Sequence, residues 1–375
     1  MSIFPDDYGA ARTLFRQAAQ DAGATLSAVR HPSATAPDGS DLAVDLAWLG
    51  DVDARTVLLC VSGLHGFEGP AGSAAQTAWL KTEGAHRIPP GTAVLFVHAL
   101  NPWGFAWVSR LTENNVDINR NFIDWSMPPP ANPFYSRVRD VLRVEDLSGE
   151  TLLRLLGTQQ ALAAEIGPAA AQVAVDFGQY DDAEGITYGG AGPEFGHRVI
   201  ADAVVPRLLA ARRIGLVDFH TGVGAYGEVA FLPLNGADDP VAAAWWGQDR
   251  VTAWRRSAIE AEIEADPNLV NLPLAKSGQL KHRLAALLPS APIDGAIVEF
   301  GTAKDGELAS LVYVTLYERW LRFVDRSDRM DERHAGFRAM ARACFVPEDD
   351  DWRAMVVREG PRILWEALDG LTRER

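Results

Sequence analysis

Two side chains able to bind a metal stand three positions apart in VSGLHGFEGPAG, residues 61–72. His65 and Glu68 come directly after an apolar run, TVLLCVSG, that ends at a glycine. A spacing of three places both side chains on the same face of a helical turn. An imidazole nitrogen and a carboxylate oxygen suit zinc, and the alternative for the pair alone is a salt bridge in a loop.

A catalytic zinc ion needs a third protein ligand and an open position for water. His220, in GLVDFHTGVG, follows an apolar run and stands just before a glycine turn, as His65 does. His98 also ends an apolar run but lacks a flanking glycine turn, so we interpret it as a structural or supporting residue. The pattern therefore predicts one zinc ion per chain, bound by His65, Glu68 and His220.

Cationic and amide side chains cluster in NPWGFAWVSRLTENNVDINRNF, residues 101–122. Guanidinium groups bind carboxylates through paired hydrogen bonds, and a donor aimed at a polarised carbonyl stabilises its developing oxyanion. Arg110, Asn119 and Arg120 are the candidates for these tasks. Asp117 is a candidate acceptor for the ring nitrogen that a zinc-bound histidine does not use for the metal. The alternative for each arginine is a solvated surface position with a neighbouring acid.

Glu299 ends the apolar run in DGAIVEFGT. A carboxylate that is buried there without a partner would cost free energy. Near a metal it could accept a proton from water and pass it to a leaving nitrogen. The alternative is a structural salt bridge.

The elements that must position these residues are apolar, β-branched runs that alternate with longer stretches of helical spacing. The runs are LAVDLAWLG, RTVLLCVSG, TAVLFVHAL, RIGLVDFH, EVAFLPL and GAIVEFG. This alternation predicts the α/β class, a three-layer α/β/α fold around a mixed, mostly parallel central sheet. Ligands collect at the carboxyl ends of strands in such sheets, and each polar cluster follows the end of a run.

We predict a single domain over residues 1–375, with its core at about 40–325. A helical insertion at about 126–193 opens with SMPPPANPF and ends in the glycine-rich GQYDDAEGITYGGAGPE. A helical C-terminal extension spans about 327–375, and an amphipathic helix begins near Asp6 or Asp7.

The formal net charge of −15 disfavours nucleic acid and anionic membrane surfaces as partners. No apolar run reaches the roughly 18 residues of a membrane span, and the N-terminus lacks a basic segment followed by an apolar one. Two cysteines, Cys60 and Cys344, do not make a disulfide framework. These features predict a cytoplasmic protein whose partners are neither nucleic acid nor a membrane.

The motifs, taken together and in this order, resemble those of the zinc carboxypeptidase superfamily. That group includes carboxypeptidase A and the succinylglutamate desuccinylase/aspartoacylase branch. The pieces LHGFEG, NPWGF with NNVDINRNF, GQY with YGG, and DFHTG most resemble an uncharacterised, mainly bacterial subfamily classed as a domain of unknown function. The resemblance runs from about residue 40 to 325.

The resemblance assigns a role to each candidate residue. It implies zinc ligation by His65, Glu68 and His220, with Asp117 supporting the first zinc histidine. It implies general base and acid catalysis by Glu299 and carbonyl polarisation by Arg110. Asn119 and Arg120 would bind the substrate's terminal carboxylate.

One departure from the family pattern concerns substrate choice. Peptide-cleaving members carry a capping tyrosine some twenty residues before the catalytic glutamate, and residues 270–298 contain no tyrosine. The loop at 178–192 should lie over the cleft, where Tyr180 and Tyr188 could replace it. We therefore expect a zinc-dependent hydrolase whose substrate is a small molecule or short peptide with a free carboxylate, and which cleaves the amide bond next to that carboxylate. The alternatives are a metallocarboxypeptidase acting on peptides and a non-catalytic protein that binds zinc or carboxylates.

Overall fold

The computed structural model describes residues 3–5, 7–82, 87–236, 238–253, 262–263, 265–304 and 308–373. A central sheet of seven strands runs through this part of the chain. The strands are β1 (Thr25–Thr35), β2 (Asp41–Gly50), β3 (Thr56–Ser62), β4 (Thr92–His98), β5 (Arg213–Thr221), β6 (Val229–Pro233) and β7 (Ile293–Phe300).

The strand order is β1-β2-β4-β3-β5-β7-β6. The four central strands β4, β3, β5 and β7 are parallel, while β1, β2 and β6 pair antiparallel at the two sides. The predicted mixed sheet with a parallel centre is confirmed, and all six apolar runs are strands. The sequence reading missed β1, which is a half-exposed edge strand that contains Pro32. Edge strands need little apolar surface and tolerate proline, so their sequence signal is weak.

Helices cover both faces of the sheet. The longer ones are α1 (Tyr8–Asp21), α2 (Gly69–Leu80), α6 (Gly149–Ile166), α7 (Pro168–Asp176), α13 (Leu280–Leu287), α14 (Leu308–Trp320), α15 (Ala335–Phe345) and α16 (Asp350–Thr372). The shorter ones are α3 (Pro102–Ala106), α4 (Ile118–Asn121), α5 (Arg139–Leu142), α8 (Phe195–Val199), α9 (Val205–Leu208), α10 (Pro240–Trp246), α11 (Gln248–Ala253) and α12 (Pro267–Val270).

Alternate residues of the buried strands face two separate cores. Leu58 and Cys60 of β3 pack with α1, α2, α10 and α16, whereas Val57 and Leu59 pack with α8, α9 and α13. Because successive strand side chains point to opposite faces, a fully apolar strand serves both layers. The described helices and sheet therefore form the three-layer α/β/α fold that the alternation predicts.

The two ends of the chain belong to the first of these layers. Asp7 caps α1 by accepting from the Ala10 N–H at 2.8 Å, while Asp6 lies outside the described residues. Helix α16 lies so close to α2 that a Cβ on Gly360 would stand 2.5 Å from the Cβ of Ala75. The C-terminal helices thus complete a core layer. None of the helices in the described ranges has the length and apolar character needed to cross a membrane.

Residues 126–193 hold α5, α6 and α7, which pack around two small apolar clusters, one of them shared with Ile263 and Leu269. The following loop, 178–192, is bonded to the motif DINRN at residues 117–121. The Asp117 N–H donates to the Tyr188 carbonyl at 2.8 Å, and the Asn121 side chain donates to the Gly189 carbonyl at 2.8 Å. The insertion is thereby joined to the edge of the sheet where the polar motifs lie.

Candidate metal and catalytic site

The His65–Glu68 turn and His220 meet at the carboxyl ends of β3 and β5. A short 3₁₀ helix, Gly66–Glu68, follows β3 and turns both side chains inward. Glu68 lies between the two rings, with Oε1 2.9 Å from Nδ1 of His65 and Oε2 2.9 Å from Nδ1 of His220. All three residues are buried, and their ligand atoms lie within 4.8 Å of one another.

A second carboxylate lies on the far side of each ring. Asp117 Oδ1 is 3.2 Å from Nε2 of His65, and Asp218 Oδ2 is 3.1 Å from Nε2 of His220. Such carboxylates orient a metal-binding histidine and make it a stronger ligand. The arrangement directs both Nδ1 atoms toward Glu68. The sequence analysis did not single out Asp218. Because it lies two residues before His220 in a strand, it points to the same face of the sheet as His220.

The charges of this cluster suit a divalent metal ion. Burial alone would raise the pKa of Glu68, but His65 and His220 outweigh it and lower that pKa. Burial would likewise lower the pKa of His220, but Asp218 and Glu68 raise it well above its usual value. Two imidazole nitrogens and one carboxylate oxygen, all buried and converging, are the donor set of catalytic zinc sites.

We expect Asp117→Asn to weaken metal binding by about 10–100-fold, the usual cost of losing such an outer partner. Asparagine keeps the size of the side chain and can still accept from the Asn119 N–H at 2.9 Å, but it lacks the charge that holds His65. Titration of the metal-free protein with zinc, followed by calorimetry, measures the change.

The matched control is Asp182→Asn, which alters a buried aspartate that pairs with Tyr135 and Arg143 outside the site. Its zinc affinity should equal that of the parent. Equal affinities for the parent and Asp117→Asn would contradict the supporting role.

Glu299 joins the same site from β7. Its Cα is the direct partner of the His220 Cα in the β5–β7 pairing, and Oε2 accepts from the Val223 N–H at 3.4 Å. Burial, with a contribution from Glu68, raises the pKa of Glu299 to about 8, although His220 opposes the shift. A carboxyl group whose pKa lies near neutral pH is suited to accept a proton and then return it.

Arg110 lies beside the cluster of His65, Glu68 and His220, called the metal-ligand cluster below. Nη1 lies 3.5 Å from Glu68 Oε1, and Nη2 lies 3.3 Å from Asp117 Oδ2. Burial would lower the pKa of Arg110, but Asp117 and Glu68 raise it, so the guanidinium stays charged. Its side chain is 27% exposed, which leaves donors available beside the site.

Arg120 and Asn119 lie on α4, next to Asp117. Arg120 Nε and Nη2 donate to the Asp176 carbonyl at 3.1 and 2.6 Å, and Nη1 donates to the Asn119 carbonyl at 2.9 Å. These bonds use three of the five guanidinium N–H groups and leave one on each Nη nitrogen. Asn119 accepts from the Leu280 N–H at 3.3 Å through Oδ1. The backbone carbonyl at the end of α7 thus orients the Arg120 side chain, and each Nη nitrogen keeps one N–H group for another acceptor.

Tyr180 and Tyr188 both contact the DINRN motif at residues 117–121. The Tyr180 hydroxyl donates to the Arg120 carbonyl, and its ring meets the Trp125 ring edge-on with 6.1 Å between centroids. The Tyr188 carbonyl accepts from Asp117, as described above, and the Tyr188 side chain is buried. A capping role for their hydroxyls stays a prediction.

His98 belongs to the core and not to the metal cluster. Its ring stacks on Phe15 with 4.3 Å between centroids, and Nε2 lies 2.9 Å from the Ser73 hydroxyl. This placement agrees with a structural role.

The fold and the site define a three-layer α/β/α protein with a buried His–Glu–His ligand set at the carboxyl ends of its parallel strands. The chain belongs to the family of proteins of unknown function DUF2817, which matches residues 4–359. The predicted membership of an uncharacterised subfamily is thereby confirmed. No curated protein matches the sequence.

Several solved structures are similar to this chain over most of its length. Carboxypeptidase A from Helicoverpa armigera is 13% identical with a TM-score of 0.43, over 89% of this chain and 76% of that one. Bovine thrombin-activatable fibrinolysis inhibitor is 10% identical with a TM-score of 0.43, over 95% and 98%. A succinylglutamate desuccinylase from Silicibacter sp. TM1040 is 13% identical with a TM-score of 0.34, over 80% and 67%.

Proposed function

We propose that this protein is a zinc-dependent hydrolase that cleaves an amide bond next to a free carboxylate, as an N-acyl amino acid deacylase does. The observation that carries the proposal is the buried convergence of His65, Glu68 and His220, with Glu299 paired across the strands from His220. A protein that only bound zinc or a carboxylate would need neither Glu299 nor Arg110 in this place.

His65, Glu68 and His220 would hold the zinc ion, which when bound supplies Lewis-acid polarisation and a water of lowered pKa, from 15.7 to about 7. Glu299 accepts the proton of the attacking water and then delivers it to the leaving nitrogen, so the carboxyl group ends the cycle as it began. Arg110 donates to the oxygen of the scissile carbonyl as negative charge develops there.

The specificity for a carboxylate is proposed from the Arg120 fork. One N–H on each Nη nitrogen remains after the bonds to the Asp176 and Asn119 carbonyls, and a carboxylate accepts such a pair in a bidentate manner. A metallocarboxypeptidase would use the same residues on a peptide. The absence of tyrosine from 270–298 favours the deacylase type.

A substrate panel tests the proposal. Purified, zinc-loaded protein is assayed with N-acetyl amino acids, the same compounds as carboxyl amides, and N-blocked dipeptides. Release of amine from the free acids, lost after zinc removal and restored by zinc, supports a deacylase. Preference for the dipeptides would favour the metallocarboxypeptidase. No hydrolysis by a protein that binds zinc stoichiometrically would overturn the proposal.

We expect Arg120→Ala to raise KM by about 10–100-fold for a free-acid substrate, because a charged hydrogen bond contributes roughly 1.5–3 kcal/mol. The matching carboxyl amide never uses the fork, so its KM should change far less. Arg120→Lys should recover only part of the loss, since a point charge does not reproduce the planar fork.

Arg139→Ala is the matched control, because Arg139 is an exposed arginine of α5 that pairs with Asp140. Its KM for the free acid should stay at the parent value. If the parent hydrolyses free acids and carboxyl amides equally well, Arg120 is not a carboxylate site, and the zinc chemistry stands without that specificity.

A further inference from the structure

A buried carboxylate far along the chain contacts the backbone of Arg110. Glu318 of α14 is 2% exposed, and its Oε2 accepts from the Arg110 N–H at 3.3 Å. Its Oε1 accepts from the Ser109 hydroxyl. Arg110 and Glu318 are 208 positions apart, so no local pattern pairs them.

The carbonyl group of Arg110 is bonded to the turn at residues 65–68, called the metal-ligand turn below. The Gly66 N–H donates to the Arg110 carbonyl at 3.3 Å, and Gly66 directly follows His65. A Cβ on Gly66 would stand 2.2 Å from the Ser109 carbonyl oxygen, so the two segments are in close contact. The backbone of Arg110 is therefore bonded to the metal-ligand turn on one side and to α14 on the other.

The Arg110 side chain borders open space. Arg110, Asp117, Thr315 and Glu318 are among the residues that line one cavity. Within the described part of the chain, two long contacts, 3.5 Å to Glu68 and 3.3 Å to Asp117, hold the side chain itself.

Burying the Glu318 carboxylate costs desolvation free energy, so the presence of a charged group at this position needs a reason other than packing. Arg329, 7% exposed, lies 3.3 Å from Glu318 Oε1 and donates to the Val108 carbonyl at 3.1 Å. Apolar residues of similar volume often replace such a buried pair without loss of stability. The carboxylate is thus better explained by the two donors that it holds in the Ser109–Arg110 segment.

We propose that Glu318 is a positioning residue for the reaction, which holds the backbone of Arg110 so that its guanidinium faces the scissile carbonyl. The kinetic part of this proposal rests on the proposed function. Glu318 touches no reacting atom and acts only through Arg110.

The test is a double-mutant cycle with Glu318→Gln and Arg110→Ala in the zinc-loaded protein, assayed on the N-acetyl amino acid that the parent hydrolyses fastest. A displacement of about 1 Å costs up to about 10²-fold in rate, so Glu318→Gln should lower kcat by about 10–100-fold with KM nearly unchanged. In the Arg110→Ala background the same change should have almost no effect, because residues acting through one another are not additive. An unchanged kcat, or full additivity, would overturn the proposal.

Two further variants separate positioning from stability. Glu318→Met combined with Arg329→Met removes the acceptor without leaving a buried charge, and it should lower kcat as Glu318→Gln does. If this paired variant is fully active, the proposal is overturned. Leu316→Ala, a buried position on the same helix, should lower Tm and leave kcat unchanged.

A crystal structure of Glu318→Gln supplies a measurement that needs no substrate. We expect the distance from Arg110 Nη2 to Asp117 Oδ2 to increase beyond the 3.3 Å of the parent, with zinc content unchanged. An undisplaced guanidinium would overturn the positioning role even if the parent hydrolysed nothing in the panel. A displaced guanidinium would support the positioning role. If the parent also hydrolysed no compound of the substrate panel, that second result would count against the proposed function alone.

Discussion

Glu299→Gln should lower kcat by about 10²–10⁴-fold while the protein still binds zinc, because the change removes the proton acceptor and leaves the metal ligands intact. Glutamine has the size of glutamate, and its carbonyl oxygen can still accept from the Val223 N–H. Burial raises the pKa of Glu299, so its ionised form holds a proton more firmly than an exposed carboxylate does. Steady-state kinetics on the best substrate of the panel, with zinc content measured on the same samples, checks the prediction.

The matched control is Glu194→Gln. Glu194 is also a buried glutamate whose pKa is raised by burial, but it is held by the Asn114 side chain away from the metal ligands. Its turnover should remain close to that of the parent. A fully active Glu299→Gln would remove Glu299 as the base and leave the zinc site unaffected.

His65→Ala and His220→Ala should each lower zinc affinity by more than about 100-fold, because losing a ligand costs more than the 10–100-fold of losing its outer partner. Each change also leaves Glu68 with only one imidazole beside it. Hydrolysis should be lost with the metal. Metal analysis after dialysis against a dilute chelator checks the expected loss.

Thermal unfolding gives a second measurement of the same effect. Zinc at 100 times its dissociation constant stabilises the folded state by about 2.7 kcal/mol, so it should raise the parent's Tm. The two variants should show no such rise at that concentration. His334→Ala, at a buried histidine bonded to Tyr317 and Ser327, should keep full zinc content. Stoichiometric zinc in both His65→Ala and His220→Ala would refute the ligand assignment.

Local sequence signals were sufficient for six of the seven strands and for most of the polar residues at the edge of the sheet. The apolar runs predicted six strands because a strand buried on both faces must be apolar throughout. Parallel strands end at a common edge, so His65, His220 and Glu299, each near the end of a run, could be expected to meet there. The structure brings these three together with Glu68 and Arg110.

Contacts between distant segments depend on the tertiary structure alone. Glu318 lies 208 positions from Arg110, and the Asp176 carbonyl lies 56 positions from the Arg120 side chain that it orients. Periodicity reports which face of an element is apolar, but it carries no information about which remote group completes a hydrogen bond. The same limit applies to α16, whose amphipathic pattern could not indicate that it packs on α2.

The fold class and the family could therefore be predicted from the sequence alone, together with most of the residues that the structure brings together at the candidate site. The way those residues are held depends on contacts that form on folding. Nδ1 of both histidines lies toward Glu68, Asp218 lies behind His220, and the Arg110 backbone lies between the metal-ligand turn and α14. The physical reason is that side-chain chemistry is local to a residue, whereas orientation depends on the partners that burial brings within hydrogen-bonding distance.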